Sequence, residues 1–240
     1  MKYLLLAMAL CLFSTKPYAD MERHADIQQF LQECRQEADT PFIKSSSQSD
    51  YYTVGKTDGL YHVKTDIQLR YPSYFTSEEF TRASLILEEI RRWIQEYYKT
   101  YGLYLDIRFE HAPFDRASNN PHPTPAEQSF VVYIRRNTGS HMKELFWGVN
   151  PDWDINDYAK VIAHEFSHLL SLKDEYLVAS GAQTQEEEAS YEEDSLMKNT
   201  DSPNPKLYLR HIKKILAPLC NEIPVAHVAQ ESVTGLPLRH

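Results

Sequence analysis

Residues 164–176 read His164-Glu165-Phe166-Ser167-His168-Leu169-Leu170-Ser171-Leu172-Lys173-Asp174-Glu175-Tyr176, and what this stretch is decides what must surround it. Tyr158, Val161, Ile162, Leu169 and Leu170 recur at helical spacing behind Asp154, a residue suited to cap a helix start. The first five residues of the stretch therefore lie on a helix. Two histidines four residues apart stand one turn apart on the same face, so both imidazoles reach a single ion. Glu165 is turned about 100° from His164 and addresses a water activated by that ion, not the ion itself. Imidazole is a borderline ligand that suits Zn2+, which would bring the pKa of such a water toward about 7.

Working upstream, the chain supplies the elements such a helix needs to pack against. A short helix is expected over 24–37 and a polar linker over Ser45–Asp50. Strands are expected between Tyr51 and Tyr71, broken by the turn signal Thr57-Asp58-Gly59. Thr76 and Glu79 form a capping box for a long helix with Phe80, Ala83, Leu87, Ile90, Ile94 and Tyr97 along one stripe. Gly102 ends it, and Leu103, Leu105, Ile107 and Phe109 alternate as in a half-buried strand. Four prolines make 112–127 a loop, and strands are expected at Phe130–Ile134 and Leu145–Val149. A last helix is expected near 205–217. The class is α+β.

The run from His164 through Asp174 resembles the HExxHxxGxxH/D pattern of the metzincin clan of zinc peptidases, in the snapalysin-like subgroup that carries Asp for the third His. Ser195-Leu196-Met197 resembles the Met-turn that passes beneath the metal in that clan. The resemblance implies a zincin-like fold: a mixed twisted sheet with a long backing helix, an active-site helix and a C-terminal helix. It implies one catalytic Zn2+ held by His164, His168 and Asp174, with Glu165 as the general base. A condition follows from helix geometry. Asp174 would point about 240° away from His168 on an unbroken helix, so the helix must stop near Leu170 and the chain must turn back. The clan uses Gly at the turning position, and this chain has Ser171, for which a left-handed backbone costs of order 1 kcal/mol. Glu175, on a continued helix, would sit about 10 Å further along the axis, too far to share the ion. A rival third ligand lies among Glu186, Glu187, Glu188, Glu192 and Glu193, at the spacing used by gluzincins. Tyr176 is a candidate hydrogen-bond donor to the reacting carbonyl, and Asn199 stands where some metzincins carry a Tyr. His211 reads as a surface or packing residue, with a place facing the site as the alternative.

The rest of the composition bounds the function. A net charge of −9 opposes a nucleic-acid or anionic-membrane partner. Seven glycines and no GxGxxG or GxxxxGK[ST] pattern oppose nucleotide-binding loops. Residues 1–19 read as a signal peptide, with Lys2, an apolar run Tyr3–Phe13 and Ala19 at the cut. That run is short of the roughly 20 residues a membrane span needs, so no stable membrane insertion is expected after cleavage. Export to a periplasm or out of the cell follows. Two cysteines then remain, Cys34 and Cys220, which could pair in an oxidising compartment; two free thiols, or Cys34 capping the metal, are the alternatives. The division expected is a signal peptide 1–19, an N-terminal helix and linker 20–50 that is a candidate propeptide, a zincin-like catalytic domain 51–220 and a tail 221–240. The function expected is a monomeric, secreted zinc metalloendopeptidase acting on protein or peptide substrates. Its alternatives are a zinc amidase acting on cell-wall peptides and a non-catalytic secreted binding protein.

Overall fold

Alternation along Leu60–Tyr71 organises the sheet. Tyr61, Val63, Thr65, Ile67, Leu69 and Tyr71 are buried, while the residues between them face outward or lie at the boundary, the period-two pattern of a strand covered on one face. The computed structural model describes residues 18–34, 40–44, 51–113, 130–136, 140, 146–149, 155–176 and 191–220. In these, four helices and a six-stranded mixed sheet follow the order α1 (Tyr18–Glu33), β1 (Thr40–Lys44), β2 (Thr53–Thr57), β3 (Leu60–Tyr71), α2 (Ser77–Lys99), β4 (Leu103–Pro113), β5 (Phe130–Arg136), β6 (Phe146–Val149), α3 (Ile155–Leu169) and α4 (Leu209–Cys220). The chain is α+β, as the pattern of periodicities predicts.

β4 runs parallel to β3 along its whole length, Tyr61 beside Leu103 and Tyr71 beside Pro113. The opposite edge of β3 is shared by antiparallel β2 at its start and parallel β5 at its end. β1 extends β2, and β6 pairs parallel to β5. Parallel neighbours require a crossover, and α2 supplies the one between β3 and β4. Its capping box is formed: the Thr76 hydroxyl accepts from the Glu79 N–H, and the Glu79 carboxylate accepts from the Thr76 N–H. Ala83, Leu87, Ile90, Ile94 and Tyr98 are its buried stripe; Tyr97, expected on that stripe, is half-buried and donates to the Pro205 carbonyl at 3.0 Å.

Gly102 ends α2 at φ 80°, and a Cβ there would come within 2.7 Å of Leu31 Cδ1. The glycine therefore serves twice, as a left-handed stop and as the close approach that seats α1. Ile27, Leu31 and Cys34 of the α1 segment are part of the core, and Cys34 is disulfide-bonded to Cys220 of α4. The core and the sheet thus take in described residues on both sides of 45–50.

Several boundaries differ from the sequence expectation for local reasons. α1 is Tyr18–Glu33, beginning ahead of the expected 24, and residues 35–37 of the expected helix lie outside the described residues; the Tyr61 hydroxyl lies 3.0 Å from both the Leu31 and Cys34 carbonyls. β1 has no strong strand pattern and carries Pro41, which confines it to a sheet edge, where it lies. α4 starts at Leu209 because Lys206 is held extended, accepting from the Leu196 N–H at 2.8 Å and donating to the Asp194 carbonyl at 2.7 Å. Residues 1–17, 45–50, 114–129, 151–154, 177–190 and 221–240, which include most of the signal segment, the linker, the proline loop, Asp154, Glu186 to Glu188 and the tail, lie outside the described residues. Among the described residues, no helix is long and apolar enough to cross a membrane.

Candidate metal centre

α3 packs against α2 through a buried polar rivet. The Ser167 hydroxyl donates to the Ala163 carbonyl at 2.6 Å, which leaves it to accept from the Tyr98 hydroxyl, also at 2.6 Å. With Phe166 and Ser167 facing that contact, His164 and His168 share another face, their rings 4.9 Å apart and nearly perpendicular.

The helix ends where helix geometry required it to. Ser171 takes φ 69°, its N–H donates to the His168 carbonyl at 3.1 Å, and the Leu172 N–H donates to the Ser167 carbonyl at 3.2 Å. That pair of bonds is a Schellman closure with Ser171 at the left-handed position usually held by Gly. The chain turns back, and Asp174 comes to lie against both histidines. Its Oδ1 is 3.2 Å from His164 Nε2 and 3.1 Å from His168 Nε2.

The outer nitrogens of the two rings are committed to the backbone. His164 Nδ1 lies 2.9 Å from the Leu196 carbonyl and His168 Nδ1 lies 2.9 Å from the Leu172 carbonyl. A carbonyl only accepts, so each Nδ1 carries a proton and each Nε2 is turned to the Asp174 oxygen. Two imidazole lone pairs and a carboxylate then converge, all within 4.8 Å of one another. Such a set needs positive charge at its centre, and the two backbone acceptors orient the rings as outer partners orient ligating histidines. The group could hold a metal ion.

The same geometry favours a protonated imidazole beside an ionised carboxylate, so a proton or a metal ion can supply that positive charge. Burial pushes the Asp174 carboxyl up, but the bonds and charges of the two imidazoles outweigh it and hold it well below the usual carboxylate range. Burial lowers His168, and this is overcome by the Asp174 and Leu172 bonds and by the charges of Asp174 and Glu165. Glu165 is itself buried, and its charge reaches both His168 and Tyr176. The Tyr176 ring stacks on that of His164 with centroids 6.0 Å apart. Burial, the Asp174 charge and a hydrogen bond with Asp174 push the Tyr176 hydroxyl up to about 12.

The remaining sequence candidates sort themselves. Glu192 pairs with Arg210 Nη1 at 2.8 Å and Glu193 with Lys198 at 2.8 Å, so neither is a member of the trio. Met197 is buried, its carbonyl accepts from the Glu175 N–H at 2.9 Å, and the adjacent Leu196 carbonyl holds His164. Asn199 is used locally, its Oδ1 accepting from the Asp201 N–H at 3.0 Å. His211 is buried at the start of α4, as a packing residue would be.

Sequence reasoning missed what Glu175 does. Its buried carboxylate accepts from Arg210 Nε at 2.6 Å, Arg210 Nη2 at 2.9 Å, His211 Nε2 at 2.8 Å and the Ser195 hydroxyl. These donors overcome burial and hold its carboxyl down at about 2. The adjacent pair Arg210-His211, opening a helix, was the available signal. No protein-family model matches the chain, and no curated protein shows a significant sequence match to it.

Proposed function

We propose that the chain is an exported, zinc-dependent metalloendopeptidase of the metzincin type, with Asp as its third ligand. The observation that carries this reading is the convergence of His164 Nε2, His168 Nε2 and Asp174 Oδ1 beside a buried Glu165. The left-handed Ser171 and the Leu196 carbonyl on His164 support it, because they stand where the clan has its glycine turn and its Met-turn. The donor set of two imidazoles and one carboxylate suits Zn2+ in an open, catalytic arrangement. When bound, zinc supplies Lewis acidity to the scissile carbonyl and lowers the pKa of water.

The chain's own residues do the rest. The Glu165 carboxylate accepts the proton of the attacking water and later returns it to the leaving amine nitrogen. The Tyr176 hydroxyl, with a pKa near 12, stays protonated at neutral pH and can donate to the developing oxyanion. β6 pairs with β5 at the end of the sheet, and an extended peptide can add to such an edge by main-chain hydrogen bonds. The Cys34–Cys220 bridge fits an oxidising compartment.

Glu165→Gln tests the mechanism. Proton transfer by a positioned carboxylate is worth about 10²–10⁴-fold, so kcat should fall by that factor while zinc content stays unchanged. Peptide cleavage at the parent rate by this variant would overturn the reading. A panel of unstructured proteins and cell-wall crosslink peptides distinguishes an endopeptidase from an amidase using the same residues.

A further inference from the structure

We propose that Glu175 is a positioning residue for the metal centre, setting the metal affinity and ligand geometry of His164, His168 and Asp174 from outside the ligand sphere. The proposal rests on the reading that this trio holds a metal ion.

Three segments of the chain meet at the Glu175 carboxylate. The ligand turn supplies the carboxylate itself. Ser195 supplies a hydroxyl donor, and its neighbour Leu196 supplies the carbonyl that orients His164. α4 supplies Arg210 through both Nε and Nη2, and His211 through Nε2. The His211 tautomer is settled by its other nitrogen, since Nδ1 accepts from the Tyr208 N–H at 2.9 Å and the proton is therefore on Nε2.

Asp174 is bracketed by this arrangement. On one side, the Leu172 carbonyl is held by His168. On the other, Glu175 is held through its side chain and through its N–H on the Met197 carbonyl. Between the brackets Lys173 is exposed. A metal tolerates ligand distances within about 0.2 Å, and these two anchors flank Asp174 along the chain. The same carboxylate therefore indexes the third ligand directly and the first through Ser195-Leu196.

A buried ion pair is weak evidence for stability, because desolvation offsets the attraction, and its best-attested use is to specify geometry. The planar Arg210 fork gives two bonds at a fixed spacing, which a lysine cannot reproduce. α4 is tied through Cys220 to Cys34, so the clamp refers the ligand turn to the core.

The test uses the full, disulfide-bonded protein stripped of metal and titrated with Zn2+ against a chromophoric chelator, then with Co2+ read by its visible bands. Glu175→Gln should weaken Zn2+ affinity by about 10–100-fold, the usual effect of losing an outer partner of a ligand, and should change the Co2+ spectrum. Arg210→Lys should move both readouts in the same direction by less, and Lys173→Ala should move neither. A purely structural role would lower the melting temperature of the metal-free protein and leave the Co2+ bands and the affinity as in the parent. That result in Glu175→Gln overturns the proposal. Should Glu175→Gln not fold, parental affinity and bands in Arg210→Lys overturn it equally. A parent protein that takes up no metal at the trio defeats the metal-site reading, and the proposal falls with it.

Discussion

Two clusters in this molecule join histidine to carboxylate, and they are built on opposite rules. Around His111, donors and acceptors alternate. The Tyr71 hydroxyl donates to His111 Nδ1 at 2.6 Å, and His111 Nε2 donates to Glu88 at 3.1 Å. Arg91 completes it, giving Glu88 a second donor at 2.7 Å. Around His164 and His168, the donor nitrogens are spent on backbone carbonyls, and two Nε2 atoms are left against one Asp174 oxygen. The first cluster is a closed chain of hydrogen bonds joining α2, β3 and β4. The second closes around positive charge, supplied by a proton on an imidazole or by a metal ion that the group could hold. The presence of a histidine beside a carboxylate separates the two poorly; what the far nitrogen of the ring does separates them well.

The largest effects should fall on metal binding and on one cluster alone. His168→Ala should weaken Zn2+ binding by more than the roughly 10–100-fold of an outer-partner change, because it removes a proposed ligand. His111→Ala should leave Zn2+ affinity unchanged and instead cost about 1–3 kcal/mol of stability, the penalty for stranding the buried Tyr71 hydroxyl. Calorimetric titration and chemical denaturation of both variants check this, and equal loss of zinc in the two would erase the distinction.

The disulfide should come next. Replacing Cys34 and Cys220 by Ser opens a link between residues 186 apart, which should lower stability by about 2–5 kcal/mol. Because the bridge anchors α4, hydrogen exchange should rise first around Arg210, His211 and Glu175, with Glu88 and His111 still protected. The smallest effect is at the turn. Ser171 pays for its positive φ, so Ser171→Gly should gain of order 1 kcal/mol in denaturation midpoint experiments, with Zn2+ affinity retained.

The structure was legible where it was local. The histidine spacing, the capping box at Thr76 and Glu79 and the stop at Gly102 follow from short-range geometry, the reversal near Ser171 follows from the resemblance that makes Asp174 a ligand, and each has its counterpart in the structure. Asp174 came from the resemblance, and the structure brings it to both histidines. What the sequence hid is what long-range pairing decides. Glu175 reads as an ordinary acidic residue until Arg210 and His211, 35 and 36 positions on, are brought to it. The early start of α4 expected from the pattern failed because residues 194–196 pair with Lys206. β1 was invisible because an edge strand with a proline takes its register from its neighbour β2 and not from its own alternation.

Metal analysis of the purified protein and of Asp174→Ala tests the central claim most directly. The parent should carry one Zn2+ per chain, and Asp174→Ala should lose it. Retention of zinc in Asp174→Ala, with loss on substituting Glu186, Glu187 or Glu188, would contradict the account and move the third ligand out of the turn that Ser171 makes.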